Sequence, residues 1–260
     1  MFLGMENSGL RLTVDGPVAR VVLDRPEVRN AQTPRMWRAL AEFGAAVPAD
    51  VRVVVVSGEG PSFSAGLDRA LMTAEPVEGD EPLLALGTKP VDEVHRTIAE
   101  IQAGFSWLRR PEFISIAAVQ GHAVGAGFQL ALACDLRVLA PDAKFSMREP
   151  ALGLVPDLGG TQPLVQLVGY SRALEICATS RWVEAAEAKE MGLANIVVPA
   201  EELEGTVKDL TDALLTPLVD AIRETKALLL GAADRTYQEQ LKAEREAQQR
   251  RLAALAWYLG

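Results

Sequence analysis

The sequence predicts an α/β core that runs into an α-helical tail, and three observations carry that expectation. Val53–Val56 is an unbroken valine run, the composition of a strand buried on both faces. Strand-strand-helix patterns recur before Gly159. From Gly159 onward the apolar spacing is mainly helical. With 260 residues, 49% of them hydrophobic and 23% charged, the chain can bury a full core. It divides into a core over residues 1–200 and a helical region over residues 201–260.

Each element has a local cause. Leu10–Val14 and Val18–Leu23 read as strands joined at Asp15-Gly16, a hairpin signal between β-branched runs. Residues 25–30 form a loop. Thr33 then caps a helix that opens on Pro34 and runs toward Val47. Val51–Ser57 is the buried strand, followed by a turn-rich loop from Gly58 to Gly66. Residues 74–92 carry three prolines and an acidic patch (Glu75, Glu78, Asp80, Glu81), which suits either a mobile flap or a solvated insertion. A helix follows from Val91 to Arg109, then a strand at Ile114–Val119. Gly121–Gly127 is a glycine turn into a helix ending near Cys134, and Leu136–Ala140 is a further strand. The helical part has loops around Gly169, Ser180 and Gly192 and one short strand at Asn195–Pro199. Helices are expected over Glu202–Leu215, Pro217–Leu230 and Thr236–Tyr258.

Charge and composition narrow the function. A net charge of -9 and a pI near 4.9 disfavour nucleic acid as a partner. The N-terminal MFLGMENSG is unlike a secretory signal, and no apolar run reaches membrane-spanning length. The expectation is a soluble cytoplasmic protein. Cys134 and Cys177 sit in apolar helical stretches and read as buried reduced thiols, outside any metal or redox motif. His95 and His122 have no ligand-spaced partner and read as structural or solvent-facing. Lys242–Glu246 reads as a solvated helix face.

Two segments share one physical character: a buried strand, small residues, then a helix start. One leads from Val53–Ser57 into Phe63-Ser64-Ala65-Gly66-Leu67-Asp68, the other from Ile116–Val119 into Gly121–Gly127. Such a junction leaves backbone N–H groups unpaired, and small residues let a ligand approach them. Two of these facing each other offer two donors to one oxygen, an oxyanion hole. Each alone is equally a glycine turn for tight packing. The glycines at 121, 125 and 127 do not make GxGxxG, and no GxSxG surrounds Ser62 or Ser64. A third segment, residues 147–161, holds Glu149 and Asp157 around an apolar stretch. Apolar surroundings raise a carboxyl pKa and suit it to proton exchange. The alternatives are that Glu149 pairs with Arg148 or Arg181, and that Asp157 caps the helix after Gly159.

Taken in order, Arg25-Pro26 with Asn30-Ala31, Phe63–Asp68, Gly121–Gly127, Ala133-Cys134-Asp135, Lys144-Phe145, Glu149, Gly153–Gln162 and Ala188–Ala194 resemble the enoyl-CoA hydratase/isomerase (crotonase) family. The resemblance spans about residues 10–200. It implies a spiral of strand-strand-helix turns with a helical C-terminal part that takes part in trimer contacts, in trimers or paired trimers. It implies acyl-CoA substrates, with coenzyme A as part of the substrate and no metal or redox cofactor. By position, the Leu67 and Ala126 N–H groups would be the oxyanion donors, with Gly125 beside them. The Ala65 carbonyl would meet adenine, and Val28 with Asp68, Arg69 and Ala70 would line the coenzyme A site. Arg25, Arg29 and Arg69 are candidate phosphate contacts.

The resemblance has departures. Hydratases of the family use two glutamates; Glu149 matches one, but Gln129 stands at the other, and an amide is no proton acid or base. Single-carboxylate members shift a double bond. Dienoyl-CoA isomerases place an aspartate eight residues after the retained glutamate position, where Asp157 stands. The chain also stops at Gly260, before the basic, aromatic segment that covers coenzyme A in relatives. Isomerisation or hydration with Glu149 as acid/base is therefore expected, with a silent acyl-CoA binder or an RNA-binding relative as rivals.

Overall fold

The computed structural model describes residues 8–73, 75, 77, 80 and 82–259. Of the acidic patch, Glu78 and Glu81 lie outside the described residues, as does all but Ser8 and Gly9 of the N-terminal segment. Strands β1 (Leu10–Asp15) and β2 (Val18–Leu23) form the expected hairpin, in register from Leu10 opposite Leu23 to Asp15 opposite Val18. Helix α1 (Pro34–Ala46) starts as the sequence requires: Pro34 leads, and the Thr33 hydroxyl accepts the Met36 N–H at 3.3 Å. It buries Met36, Trp37, Leu40 and Phe43, one face of a 3.6-residue repeat.

Strand β3 (Val53–Gly58) pairs in parallel with β2. It begins two residues later than the valine pattern suggests, because the Val51 N–H closes a turn onto the Pro48 carbonyl. Its valines divide between two cores. Val54 and Val56 face one cluster with Phe43, Phe63 and Phe128, while Val53 and Val55 face a second with Ile116, Val138 and Val207. Period-two alternation with both faces covered explains the unbroken run.

Helix α2 (Val91–Ser106) packs on α1, and strand β4 (Ile114–Val119) pairs in parallel with β3. Strand β5 (His122–Val124) then precedes helix α3 (Ala126–Ala133), all eight of whose residues are buried. Strand β6 (Leu136–Leu139) rejoins the main sheet beside β4. After β7 (Lys144–Ser146) come helices α4 (Thr161–Val168) and α5 (Tyr170–Thr179), strand β8 (Val183–Glu184), helix α6 (Ala185–Glu190) and strand β9 (Ile196–Val197). The main sheet has the order β1-β2-β3-β4-β6-β9, and β5-β7-β8 form a second, three-stranded sheet. The second sheet corrects one expectation, since residues 121–127 are more than a glycine turn, and it adds β8 to the mainly helical part, where β9 lies within the expected Asn195–Pro199 strand. Strands of two and three residues show no readable alternation, which is why the sequence hides them.

Helix α7 (Leu203–Leu215) lies on the second face of the main sheet, where Val207 joins the Val53–Ile116–Val138 cluster. Helix α8 (Val219–Leu230) is tied to the body by Arg223, which donates to the Glu112 and Ala49 carbonyls. Helix α9 (Tyr237–Leu259) is clipped to α8 by Arg250–Glu224 and Arg251–Asp220 ion pairs. Lys242, Glu244, Arg245 and Glu246 are exposed on α9, as their charge pattern suggests. No helix among the described residues is long and apolar enough to cross a membrane.

Candidate active site

The first loop is built by side chains the sequence shows only as a polar stretch. Asn30, Gln32 and Ser64 are all fully buried. The Asn30 amide donates to the Glu59 and Ser62 carbonyls while its Oδ1 accepts the Arg25 N–H. The Ser64 hydroxyl donates to the Asn30 carbonyl and accepts from the Gln32 amide and the Gly66 N–H. Gln32 Oε1 accepts the indole N–H of Trp37, so helix α1 anchors the network. Buried polar groups satisfied this fully hold one conformation. The signal available in sequence was a cluster of amides and hydroxyls flanked by apolar strands.

The two loops converge through β5. Ser64 bridges Ala123, donating its N–H to the His122 carbonyl at 2.8 Å and accepting the Val124 N–H at 3.0 Å. On its other side β5 pairs with β7. Gly66 (φ +84°) sits against this junction: a Cβ there would collide with the Val124 carbonyl and lie 3.6 Å from the Ala126 nitrogen. Leu67 bridges Gln32 through its neighbours, since Gln32 N–H donates to Gly66 and Asp68 N–H to Gln32. The Leu67 N–H is therefore turned away from that bridge. Ala126 is the first residue of α3 and has no intrahelical acceptor for its N–H. Among the described residues, neither amide donates to another protein group.

Glu149 follows directly from β7. Gly125 (φ +51°) is the point of approach, since a Cβ there would lie 3.2 Å from Glu149 Oε1. The Glu149 Oε1 atom accepts the Gln129 amide at 2.7 Å, while Oε2 is buried without a hydrogen-bond partner. Burial holds the Glu149 carboxyl above its ordinary pKa, partly offset by the Gln129 hydrogen bond, and nearby Asp157 adds to the rise. Burial raises Asp157 as well. The Cys177 thiol on α5 is raised by burial and by Glu149, so α5 flanks the carboxyl.

Both structural alternatives for the carboxylates fail. Arg181 is held by Glu175 and Glu187, and Arg148 lies 4.9 Å over the Trp182 ring, so neither pairs with Glu149. Helix α4 takes Gly160 as its N-cap with no side-chain cap, so Asp157 does not cap it. Instead Gln102 on α2 donates to the Asp157 carbonyl at 2.6 Å.

The residues expected around coenzyme A lie beside the first loop. The Ala65 N–H donates to the Arg29 carbonyl at 2.8 Å, joining that loop to the turn Pro26–Val28. Val28, Arg29, Arg69 and Ala70 are exposed there. Asp68 is engaged in structure: its carboxylate pairs with Arg25 at 3.1 Å and accepts the Ala70 N–H. Arg25 Nη1 also donates to the Ala31 carbonyl, making this arginine a strut of the loop. Asp80 accepts the Arg35 N–H in the first turn of α1, which ties this point of the 74–92 segment to the body.

Other predicted residues have structural settings. His122 packs edge-on against Trp182 with Nδ1 3.3 Å from the Ser62 hydroxyl, and burial followed by Lys144 lowers its pKa. His95 is exposed on α2. Cys134 is buried and its thiol is pushed up to about 12, whereas Cys177 is only half-buried, which corrects its expected burial. Among the described residues, no group of three or more His, Cys, Asp or Glu is placed to hold a metal.

Comparisons agree with this architecture. The family model described as enoyl-CoA hydratase/isomerase matches residues 13–255, well into the C-terminal helices. A crotonyl-CoA hydratase from Syntrophomonas wolfei is 34% identical, covering 86% of this chain and 82% of its own. A peroxisomal Δ(3,5)-Δ(2,4)-dienoyl-CoA isomerase from Arabidopsis thaliana is 30% identical over 85% of this chain and 80% of its own. A Thermobifida fusca YX protein provisionally called an enoyl-CoA hydratase, solved with CoA, is 52% identical with a TM-score of 0.91 over 96% of this chain and 95% of its own. With the α/β spiral and these matches in agreement, the chain belongs to the enoyl-CoA hydratase/isomerase (crotonase) family.

Proposed function

We propose that this chain binds an enoyl-CoA and stabilises the enolate of its thioester, isomerising or hydrating the double bond with Glu149 as the proton carrier. One observation carries the reading: Leu67 and Ala126, whose main-chain amides donate to no other protein group among the described residues, flank the Gly66–Val124 contact, with the buried, unpartnered Glu149 Oε2 beside Gly125. A thioester oxygen between the amides gains charge as a proton leaves the acyl chain, and both donors then strengthen. One such donor contributes about 3 kcal/mol to the transition state.

Glu149 removes a proton from C2, the electron pair moves onto the thioester, and return of the proton to C4 completes a 1,3-shift. Its raised pKa suits both halves of that cycle. Hydration needs a second group for water, and Gln129 supplies a hydrogen bond without a proton. Asp157, also raised by burial, is the other candidate proton carrier. Coenzyme A lies along Val28, Ala65, Asp68, Arg69 and Ala70, with Arg29 and Arg69 toward its phosphates. Residues 201–260 take part in trimer contacts, in a homotrimer or a dimer of trimers. Leu252, Leu255 and Trp257, exposed on α9, support that surface, and sedimentation tests it.

The function test follows absorbance with crotonyl-CoA and with a 3-enoyl-CoA in separate assays. At least one is converted, and Glu149→Gln lowers that turnover about 10²–10⁴-fold. Gln129 favours a second reading, a catalytically silent acyl-CoA binder. Tight acyl-CoA binding with neither substrate converted selects it.

A further inference from the structure

The Gln129 side chain makes three hydrogen bonds, and their chemistry leaves its orientation no freedom. The Leu158 N–H and the Gly160 N–H converge on one end of its amide, at 2.9 and 3.3 Å. Main-chain N–H groups only donate, so that end is the oxygen. The other end is the NH₂ group, and it lies 2.7 Å from Glu149 Oε1. An NH₂ group requires an acceptor, and the carbonyl oxygen of a neutral carboxyl accepts better than its hydroxyl, so the contact favours Oε1 as the unprotonated oxygen. The remaining oxygen, Oε2, is buried and has no partner.

We propose that Gln129 is a positioning residue that reserves Glu149 Oε1 as a hydrogen-bond acceptor, so that Oε2 alone takes up and returns the mobile proton. The inference deepens the reading of Glu149 as proton carrier and rests on it. Helix α3 fixes one side of the device, with every residue buried, and the 158–160 turn fixes the other. Gln129 is therefore more than a lost acid. It pins one carboxyl oxygen and supplies a donor that favours the charged form of Glu149. The titratable groups facing the carboxyl are Asp157 before α4 and the Cys177 thiol on α5, while Arg148 is turned onto Trp182.

The test is a pH titration of the Glu149 carboxyl in the substrate-free protein by infrared difference spectroscopy, the band being assigned by its loss in Glu149→Gln. Gln129→Met removes the donor and is expected to move the titration up by about one pH unit, about a tenfold fall in the ionised-to-neutral ratio at a given pH. That variant also strips the Leu158 and Gly160 N–H groups of their acceptor. Gln129→Glu keeps the acceptor, preserves the fold, and is expected to titrate in two coupled steps with Glu149. The acid limb of kcat/KM follows the titration in each variant, with KM for acyl-CoA changed less than about twofold, a split that loss of packing alone does not produce. A Glu149 titration that stays in place and in one step in Gln129→Glu overturns the proposal. If the titrations move but Glu149→Gln keeps full turnover, positioning stands and the proton-carrier reading falls.

Discussion

Two buried polar clusters lie on either side of helix α3, and they differ in how fully they are satisfied. Around its C-terminal end, Asp135 Oδ2 accepts from the Ser115 N–H, the Ser115 hydroxyl and Lys226, which also donates to the Phe113 carbonyl. Arg137 beside it donates to the carbonyls of Leu193, Ala131, Cys134 and Asp135. Around the N-terminal end, Glu149 has one oxygen held and one bare. A complete network fixes structure, because any displacement leaves a buried group unpaired. An incomplete one keeps a reactive atom available to something from outside, at a cost in stability. On the proposed function, the difference separates framework from chemistry better than residue type does, since both clusters contain half-buried carboxylates.

The sharpest way to break that contrast is Asp135→Ala. Lys226, its side chain only 6% exposed, loses its anionic partner and keeps only the Phe113 carbonyl, and a stability loss of about 3–5 kcal/mol is expected in chemical denaturation. Turnover per folded molecule should persist; if it vanishes while the fold holds, the first cluster is part of the chemistry. Next in size is Gly66→Ala, which drives a Cβ into the Val124 carbonyl at positive φ. We expect about 1–3 kcal/mol of lost stability and a fall in kcat with the Glu149 titration unmoved, because only the amide geometry is disturbed.

Glu149 itself provides a pH test. Its folded pKa is raised, so its favourable contribution is complete below the ordinary glutamate range and is lost as pH rises through the folded value. Glu149→Gln removes that loss. Thermal melts of the variant should match the parent at about pH 4 and exceed it at about pH 8. A variant less stable at both pH values makes the carboxylate a structural group after all. The smallest effect belongs to Arg250→Ala. It breaks the exposed Arg250–Glu224 pair and should lower the melting midpoint only slightly, with high salt erasing the difference.

Much of the frame is legible in single residues. Thr33-Pro34 starts a helix where capping chemistry says it must, and four valines mark a strand with two covered faces. The second sheet is illegible because its strands are too short to show a period. The purpose of Arg25–Asn30 is hidden as well: Asn30 takes φ +54° and feeds hydrogen bonds to residues 59 and 62, partners that no local pattern names. Within the site, the sequence offers Glu149, Gln129, Asp157, Leu67 and Ala126 as candidates. It leaves open whether the carboxylates serve caps and ion pairs, since those depend on which arginine and which helix start lie nearby.

By itself, then, the sequence determined the periodic elements, the glycines at the strand-to-helix junctions, and the presence of an amide, not a carboxyl, at position 129. Those are properties of one residue and its neighbours along the chain. Tertiary structure alone decided that β5 brings the two junctions together, that Gln129 turns its NH₂ group to Glu149, and that Oε2 is left bare. Each of these depends on which donor meets which acceptor across twenty or more residues of chain or between separate strands, and only the folded packing sets that pairing.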